Sequence, residues 1–333
     1  MSASGDAAVL AEVWRGDVCE IVVRGHVAVV AADGTLLAQA GDPDARTTLR
    51  STVKPLQALP FASGAADALG ATTEEIAVAC ASHEGEPRHV AAVRSLLARA
   101  GLDENALSCG PQWPYSERAT HDLVRAGESA RPVHNNCSGK HAAMLCACVH
   151  NGWPVEGYAA FDHPLQRDIR RRMSDFAGIR LADTPRGVDG CGLPTHGVPL
   201  RYLALMFAAA SATSKDFTRC QEAMAAEPFM VGGTGRFDTL LLQWAGASLT
   251  AKSGGAAVWA CVARGGGPGV AVKLEAGAGM HMAPVALAVL RGLGLVAAEG
   301  MPEELETAGR GLVHNWSGSL VGETRVCVTL ERG

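Results

Sequence analysis

The amino-acid sequence predicts an α/β protein in which a mixed sheet is flanked by helices. Extended, β-branched runs near the N-terminus predict strands, and the middle of the chain follows helical periodicity. Short apolar runs separated by glycine-rich turns return near the C-terminus. We therefore expect N- and C-terminal strands to share one sheet and to form its edges. No repeat or long linker divides the chain, which predicts a single domain over residues 1–333.

The N-terminal strands are predicted from alternation and from a turn signal. Residues 19–24 and 26–32 are extended runs rich in β-branched side chains. Asp33 and Gly34 follow as a hairpin-turn dipeptide, which predicts a third strand over 35–40. Together these runs predict an antiparallel meander at the start of the chain.

Capping signals mark the first helices. Thr72 has Glu75 three residues later, which is the pattern of a capping box, and Glu86-Pro87 opens a second helix. The predicted helices span 72–80, 87–100, 138–150, 164–176, 200–212, 215–226 and 283–293. The later predicted strands span 249–252, 256–264, 269–275 and 324–330.

Composition excludes several classes of protein. Hydrophobic residues make up 48% of the chain and charged residues 19%, which excludes intrinsic disorder. The net charge of −5 and the 5% aromatic content argue against nucleic-acid binding. No apolar run reaches the length of about 18 residues that a membrane span needs, and the first residues do not form a secretion signal. Ten cysteines without such a signal indicate free thiols in the cytoplasm.

Ser51 and Lys54 form a Ser-x-x-Lys motif. Residues three apart on a helical turn lie on one face, so a neutral lysine amine can take the hydroxyl proton while the serine attacks a carbonyl carbon. Such a base needs a lowered pKa, which burial and the neighbouring cation Arg50 both favour. The alternative is a solvated lysine near a helix start, because an isolated match of this kind is common.

Two further motifs support a serine–lysine site. Ser82 begins a Ser-His-Glu sequence after an apolar helix, and Lys252 begins a Lys-Ser-Gly sequence on a predicted strand. Their order matches the S-x-x-K, S-D-N and K-T-G set of penicillin-binding proteins and β-lactamases, although the middle motif keeps only its serine. Ser82 with Lys252 would then form a second serine–lysine pair. The alternatives are a polar helix C-cap and an edge-strand charge.

Cys137 and Cys191 stand apart from the other cysteines. Cys137 precedes an apolar helix, and Cys191 lies in a glycine-rich loop. Two thiols and a nitrogen ligand suit a tetrahedral zinc with one open position, and spacing favours His141, four residues after Cys137. Buried small hydrophobic side chains are an equal alternative, which fits Cys80, Cys146, Cys148 and Cys261. A Cys–His nucleophilic pair is a third possibility.

Four segments together resemble one protein family. The segments RSTVKPLQ (50–57), ASHEG (81–85), NNCSGKH (135–141) and DGCGLP (189–194) are similar to those of the Rhizobium etli type of L-asparaginase. This is the inducible, thermolabile enzyme of the third asparaginase class. The resemblance implies a fold similar to serine β-lactamases and glutaminases, a homodimer, and hydrolysis of L-asparagine to L-aspartate and ammonia.

The resemblance also implies which residues form the site. Two serine–lysine pairs fall on Ser51 with Lys54 and on Ser82 with Lys252, for which Lys273 is a nearby rival. The family's zinc site falls on Cys137, Lys140 and Cys191. Lys140 then takes the place of His141 as the proposed nitrogen ligand. In this family the zinc is taken to tune substrate binding rather than to activate water.

An amino-acid substrate also needs its charged groups held. Arg50 suits the α-carboxylate because a guanidinium grips a carboxylate in bidentate fashion. Glu84 and Asp189 are candidates for the α-ammonium, and His83 would close the pocket. Ordinary loop solvation is the alternative for the two acids.

The predicted mechanism is acyl transfer. Ser51 attacks the side-chain amide carbon, Lys54 is the base, and ammonia leaves with a proton passed through Ser82 and Lys252. The N–H groups of Ser51 and Gly254 would form the oxyanion hole. A glutaminase or another amide hydrolase on a β-lactamase-like fold is an alternative within enzymes. A non-catalytic zinc-binding or sensor protein is the alternative outside them.

Overall fold

A computed structural model describes residues 6–297 and 299–333. The strands within these residues are β1 Ala8–Arg15, β2 Val18–Val30, β3 Leu36–Ala40, β4 Arg46–Thr48, β5 Arg186–Val188, β6 Pro194–Pro199, β7 Leu249–Gly254, β8 Val258–Ala263, β9 Gly269–Leu274, β10 Val313–His314, β11 Leu320–Val326 and β12 Glu331–Arg332. The α-helices are α1 Lys54–Gln57, α2 Ala66–Ala68, α3 Thr73–Ala79, α4 Pro87–Arg99, α5 Glu117–Arg125, α6 Ser138–Asn151, α7 Pro164–Ala177, α8 Leu200–Thr213, α9 Lys215–Ala226, α10 Pro228–Val231, α11 Phe237–Ala245, α12 Met282–Gly292 and α13 Glu303–Arg310.

The chain divides into two compact units. The first unit comprises residues 6–52, 197–212 and 251–333, apart from residue 298, and the second comprises 53–196 and 213–250. The expectation of one domain stays a prediction.

The first unit contains a nine-stranded sheet in the order β10-β11-β1-β2-β9-β8-β7, with β3 and β12 as a branch on β2. Strand β1 pairs antiparallel with β11, so strands from both ends of the chain lie in one sheet. The prediction that the N- and C-terminal strands form the edges of this sheet is wrong in part. Strands β1 and β2 lie inside the sheet because each has a partner on both sides.

Strand β2 is one long strand where the sequence predicted two. Gly25 does not interrupt it, because this residue lies directly against the main chain of β9, where a side chain would collide with Lys273 O. Strand β1 was not predicted at all. The last long strand spans Leu320–Val326, whereas the sequence predicted 324–330, so it begins and ends four residues earlier than predicted.

Helices flank this sheet. Within the first unit, α8 approaches β9 so closely that a side chain at Gly269 would collide with Ala204 O. Helices α12 and α13 pack against each other and against β11. The prediction of an α/β fold with a sheet and flanking helices is confirmed. No helix within the described residues is long and apolar enough to cross a membrane.

The second unit is mostly helical, and α6 lies at its centre. Helix α6 is buried from Ser138 to Cys148 and packs against α3 and α4. The predicted capping box of α3 is present, since Thr72 Oγ1 accepts from Glu75 N–H at 3.2 Å and Glu75 Oε2 accepts from Thr72 N–H at 2.7 Å. None of the ten cysteines, which all lie within the described residues, forms a disulfide, and eight of them are buried.

Candidate active site

Lys54 is a fully buried amine surrounded by oxygen atoms. It begins α1, directly after a 3-10 turn over Arg50–Val53. Its Nζ donates to the main-chain oxygens of Ala81 at 2.6 Å and Asn136 at 3.2 Å. The same Nζ lies 3.0 Å from Ser82 Oγ. Two carbonyls and one hydroxyl are thus among the groups that face the amine.

This arrangement permits proton transfer between Lys54 and Ser82. A protonated amine has three N–H donors and would donate to all three oxygens. A neutral amine has two N–H donors, which carbonyls can accept, and one lone pair, which can accept a proton from a nearby hydroxyl. Because a hydroxyl can donate as well as accept, the Ser82 proton can move to the amine and back.

The segment 81–86 is held in place by main-chain hydrogen bonds. Ser82 N–H donates to Val231 O at 3.0 Å, and His83 N–H donates to Asn136 O at 3.2 Å. The end of α10 and the loop before α6 therefore fix the main chain at Ser82 and at His83. The carbonyl of Asn136 serves this segment and Lys54 at the same time.

The side chain of His83 is part of this support. Gly85 N–H donates to His83 Nδ1 at 3.1 Å, so Nδ1 is an acceptor and the ring proton lies on Nε2. His83 Nε2 faces Ser138 Oγ at 2.9 Å, and Ser138 Oγ donates to Val133 O at 2.8 Å. Burial lowers the pKa of His83 well below its usual value, which keeps the ring neutral. Both ring nitrogens are used inside the fold, so the ring positions the segment 81–86.

Glu84 lies beside a residue that the sequence analysis missed. Its Oε1 is buried, has no hydrogen-bond partner, and lies 3.3 Å from Arg236 Nη1. Burial raises the pKa of Glu84, while Arg236 acts in the opposite direction. On the same loop, Thr234 donates from N–H at 2.8 Å and from Oγ1 at 3.0 Å to the carboxylate of Glu86. The Gly-Gly-Thr-Gly sequence before Arg236 was the available signal for a loop.

Cys137, Lys140 and Cys191 form a buried group, here called the cysteine–lysine cluster. Lys140 Nζ lies 3.5 Å from Cys191 Sγ, and the thiols of Cys191 and Cys137 are hydrogen-bonded. Cys191 lies in a tight turn in which Asp189 N–H donates to Leu193 O at 2.9 Å. This turn connects β5 to β6 and brings Cys191 to the start of α6.

Electrostatics favour a thiolate and an ammonium in this cluster. The hydrogen bond from Cys191 holds the pKa of Cys137 well below its usual value against the effect of burial, and Lys54 and Lys140 add to this. The same hydrogen bond, together with burial, raises the pKa of Cys191. Burial lowers the pKa of Lys140, but the charges of Cys137, Cys191 and Asp189 outweigh it and raise the pKa.

The donor set of the cluster fits zinc. Two sulfurs and one nitrogen are the ligand types that zinc prefers, once Cys191 and Lys140 have lost their protons. Among the described residues, no three His, Cys, Asp or Glu side chains lie close enough together to hold a metal. His141, which spacing favoured, places Nδ1 2.6 Å from Tyr158 OH and leaves Nε2 buried without a hydrogen-bond partner.

Ser51 lies in the first unit, beside a strained stretch of main chain. Arg50 has a φ of 48°, a left-handed conformation that is uncommon for an arginine. Its guanidinium lies against Gly255, where an added Cβ would be 2.8 Å from Nη2. An added Cβ at Gly254 would lie 3.0 Å from Thr52 N and 3.3 Å from Ser51 N. Gly254 therefore keeps space open beside two main-chain N–H groups.

The two candidates for the second lysine differ in their surroundings. Lys252 lies on β7, is almost fully buried, and donates from Nζ to Ser253 O at 2.8 Å. Lys273 lies on β9 and donates to Ala256 O at 2.9 Å and to Leu274 O. Burial lowers the pKa of Lys273. The choice of Lys252 stays a prediction.

The structure therefore groups part of the predicted site. It brings Lys54 to Ser82, a contact that the sequence analysis did not predict, and it brings the cysteine–lysine cluster together. Ser51 and Lys252 belong to the first unit, and their pairing with Lys54 and Ser82 stays a prediction.

Comparisons with solved structures give only weak similarities. Two structures of Mglu in its native form, one of them in 4.3 M NaCl, are 18% and 14% identical to this chain with TM-scores of 0.43. They match 83% of this chain, which spans 66% and 63% of the Mglu chains, less than two thirds of their length. A β-lactamase from Sphaerobacter thermophilus DSM 20745 is 16% identical with a TM-score of 0.39, over 82% of this chain and 92% of the β-lactamase. These values are too low to support an argument about function. None of the curated protein sequences is significantly similar to this chain.

Family comparison is more informative. Residues 11–326 match the family described as L-asparaginase II, and this range contains the four segments on which the resemblance was based. The match includes the Ser82–Lys54 contact, the cysteine–lysine cluster and the main chain beside Ser51. The resemblance is thereby confirmed, and the chain belongs to the L-asparaginase II family, the Rhizobium etli type.

Proposed function

We propose that this chain hydrolyses L-asparagine to L-aspartate and ammonia through a serine acyl-enzyme. Family membership supports an amidohydrolase of the L-asparaginase type. The observation that carries the mechanism is the buried Lys54 amine, whose Nζ lies 3.0 Å from Ser82 Oγ. A buried amine beside a hydroxyl is suited to moving protons during acyl transfer.

Ser51 is the nucleophile in this proposal. Its Oγ attacks the side-chain amide carbon and its proton passes to neutral Lys54, which follows it by one helical turn in the sequence. The tetrahedral intermediate collapses, the C–N bond breaks, and the departing amine receives a proton through Ser82 and Lys252. Ammonia and a β-aspartyl ester of Ser51 result. Water then hydrolyses the ester by the reverse route, which gives aspartate and restores Ser51.

The oxyanion is stabilised by main-chain N–H groups in this proposal. Gly254 leaves space open beside the N–H groups of Ser51 and Thr52, and the N–H groups of Ser51 and Gly254 are the proposed donors. A single donor of this kind is worth about 2.7–4 kcal/mol in other hydrolases. Removal of the space by a side chain at position 254 would therefore affect the transition state more than substrate binding.

The charged groups of the substrate need partners of opposite charge. We assign the α-carboxylate to Arg50 and the α-ammonium to Glu84 and Asp189. The buried Glu84 Oε1 has Arg236 Nη1 at 3.3 Å but accepts no hydrogen bond, so an ammonium would supply a donor. His83 contributes indirectly, because its ring nitrogens hold the segment that carries Glu84.

We further propose that Cys137, Lys140 and Cys191 hold Zn²⁺ in a cytoplasmic homodimer. Zinc would supply a positive charge that modulates substrate binding. The zinc site is supported by the ligand types, because two thiols and an amine offer the sulfur and nitrogen ligands that zinc prefers. The homodimer rests on the family resemblance. Zinc content of the purified protein and light scattering after size exclusion test these two points.

The test of the function is ammonia release from three substrates. Asparagine, glutamine and a chromogenic β-lactam should be compared at equal concentration, and asparagine should give the fastest turnover. Ser51→Ala should abolish ammonia release while circular dichroism stays unchanged. Retained turnover would remove Ser51 from its role, and faster glutamine hydrolysis would favour a glutaminase.

Chelation tests the role of the metal. Removal of zinc should raise the KM for asparagine with a smaller change in kcat. If the purified protein contains no zinc, and added zinc neither binds nor changes KM, the metal assignment is wrong and a sensor role loses its basis as well.

A further inference from the structure

The proposed mechanism depends on how the Lys54 amine is oriented, and one residue outside the predicted site controls this. Two carbonyls that accept from Lys54 Nζ help to fix where this amine lies relative to Ser82. One of these carbonyls, Ala81 O, lies next to Ser82 in the chain. The other, Asn136 O, is on a different loop and must be held by its own contacts.

Gln112 holds Asn136 at two points. Gln112 Oε1 accepts from the side-chain Nδ2 of Asn136 at 2.8 Å and from its main-chain N–H at 3.3 Å. A main-chain N–H is always a donor, so the oxygen of the Gln112 amide must face Asn136. One acceptor thus fixes both the peptide and the side chain of this residue.

The carbonyl fixed in this way has two further partners. Asn136 O accepts from Lys54 Nζ at 3.2 Å and from His83 N–H at 3.2 Å. His83 is the residue after Ser82. A displacement of Asn136 would therefore change the amine and the serine segment together. The Oδ1 of Asn136 lies 3.3 Å from Cys137 Sγ, so the opposite side of the residue faces the cysteine–lysine cluster.

We propose that Gln112 and Asn136 are positioning residues that orient the Lys54 amine toward Ser82. This inference rests on the proposed function for its kinetic consequences. Neither residue touches the reacting atoms in the proposed mechanism. Loss of the Gln112 acceptor leaves the main-chain N–H of Asn136 without this partner and its side-chain Nδ2 with only the longer contact to Tyr115 OH at 3.5 Å, which allows Asn136 O to move away from Lys54.

Two consequences follow for the enzyme. The Lys54 amine is held less firmly in the position from which it exchanges protons, so kcat falls, and loss of one hydrogen-bond acceptor of this kind predicts a fall of about three- to tenfold. The carbonyl also stabilises the charged form of the amine. Its displacement therefore moves the acid limb of the pH–activity profile to lower pH.

The test compares three substitutions in full-length protein. Gln112→Leu removes the acceptor, and Gln112→Glu keeps an acceptor oxygen in the same place. Gln243→Leu is the matched control, since Gln243 is exposed on α11 of the same unit. Steady-state kinetics with asparagine from pH 5 to 10 give kcat and KM, and NMR of ¹³Cε-labelled lysines, assigned with Lys54→Arg, gives the titration midpoint of Lys54.

Q112L should lower kcat and move both the acid limb and the Lys54 midpoint to lower pH. Q112E should keep kcat near that of the unchanged protein, with an acid limb at or above its pH. Q243L should change neither. The inference is overturned if Q112L keeps the original kcat and pH profile, if its effect is confined to KM, or if Q112E loses as much as Q112L. Should Q112L not fold, Asn136→Ala keeps the main-chain link to Gln112, removes the side-chain contacts of Asn136, and is measured in the same way.

Failure of the function and failure of this inference can be told apart. If the unchanged protein releases no ammonia from asparagine, the proposed function fails. The NMR midpoint then decides the inference alone: a lower midpoint in Q112L supports it, and an unchanged midpoint overturns it. If asparagine is hydrolysed and Q112L is unaffected, the function stands without the positioning pair.

Discussion

Two lysines of the second unit are almost completely removed from water, yet their surroundings differ. The hydrogen bonds of Lys54 to two carbonyl oxygens and its contact with the Ser82 hydroxyl involve neutral groups, although the charge of Lys54 also acts on Cys137. Lys140 faces the thiols of Cys137 and Cys191, with Asp189 near enough to contribute its charge. Burial alone therefore does not determine what a lysine does, and the neighbouring groups decide it.

The difference separates a group that exchanges protons from one that holds a charge. Burial lowers the pKa of Lys140, but the anionic neighbours outweigh this and raise it, so its proton is held unless a metal replaces it. Neutral dipoles hold a proton less strongly than a full negative charge does. The environment of Lys54 thus suits acid–base chemistry, and that of Lys140 suits an ion pair or a metal.

The largest expected effect comes from replacing each lysine by methionine. Lys54→Met removes the proposed base, so kcat should fall by about 10²–10⁴-fold. Lys140→Met removes a proposed zinc ligand, so zinc affinity should fall and KM should change while kcat stays within about threefold. Ammonia release and isothermal titration with zinc measure the two effects.

Lys215→Met provides the control, since Lys215 is exposed at the start of α9 and should change neither measurement. The comparison fails if Lys140→Met lowers kcat as much as Lys54→Met does. Both lysines would then belong to one catalytic machinery.

Sequence patterns identified the residues of the site better than they identified the contacts between these residues. The Ser-x-x-Lys spacing identified Lys54, and the glycine-flanked Cys191 was recognised as part of a loop. The contact between Lys54 and Ser82 joins residues 28 positions apart. It depends on main-chain hydrogen bonds from Ser82 and His83 to the carbonyl oxygens of Val231 and Asn136, which no local pattern encodes. The role of Gln112 was missed for the same reason, since a glutamine in a loop carries no signal of its partner.

The fold shows the same limit. The capping box at Thr72 and the proline at the start of α4 placed both helices correctly, because these signals act within one turn. The N-terminal sheet was predicted less well, because strand pairing is non-local. Gly25 was read as a break between two strands, whereas the structure uses it for a close approach to β9.

A smaller effect is expected from a substitution that disturbs both lysines. Gly139 lies on α6 next to Lys140, and an added side chain would collide with Val78 O and come 2.9 Å from Val78 Cγ2 on α3. Gly139→Ala should therefore push α6 and α3 apart, although alanine favours a helix by itself. We expect a loss of about 1–3 kcal/mol in the free energy of unfolding, measured in urea.

Gly292→Ala is the control for this substitution. Gly292 ends α12, and an added Cβ would meet nothing within 4 Å. A Gly139→Ala protein as stable as the unchanged one would show that α6 can move away from α3 without cost. The close packing of α6 against α3 would then not be needed to keep the surroundings of Lys54 and Lys140 separate.

The smallest expected effect is on how the free energy of unfolding depends on pH. It decides the pH range in which Lys54 and Lys140 can be compared in the folded protein. Burial and the cations Arg170 and Arg186 lower the pKa of His196 to about 4, against an ordinary value of about 6.5. Since the pKa is lower in the folded protein, the unfolded chain binds the proton first as pH falls. Stability is therefore fully present above pH 6.5 and declines between pH 6.5 and 4.

His196→Gln should make the free energy of unfolding less dependent on pH in this window, by a fraction of one bound proton. Urea unfolding at pH 7.5, 6 and 5 measures the slope, and His314→Gln, at an exposed histidine on β10, is the matched control. An unchanged slope in His196→Gln would show that other groups cause the acid sensitivity. A reduced slope would show that His196 contributes to the loss of stability below pH 6.5.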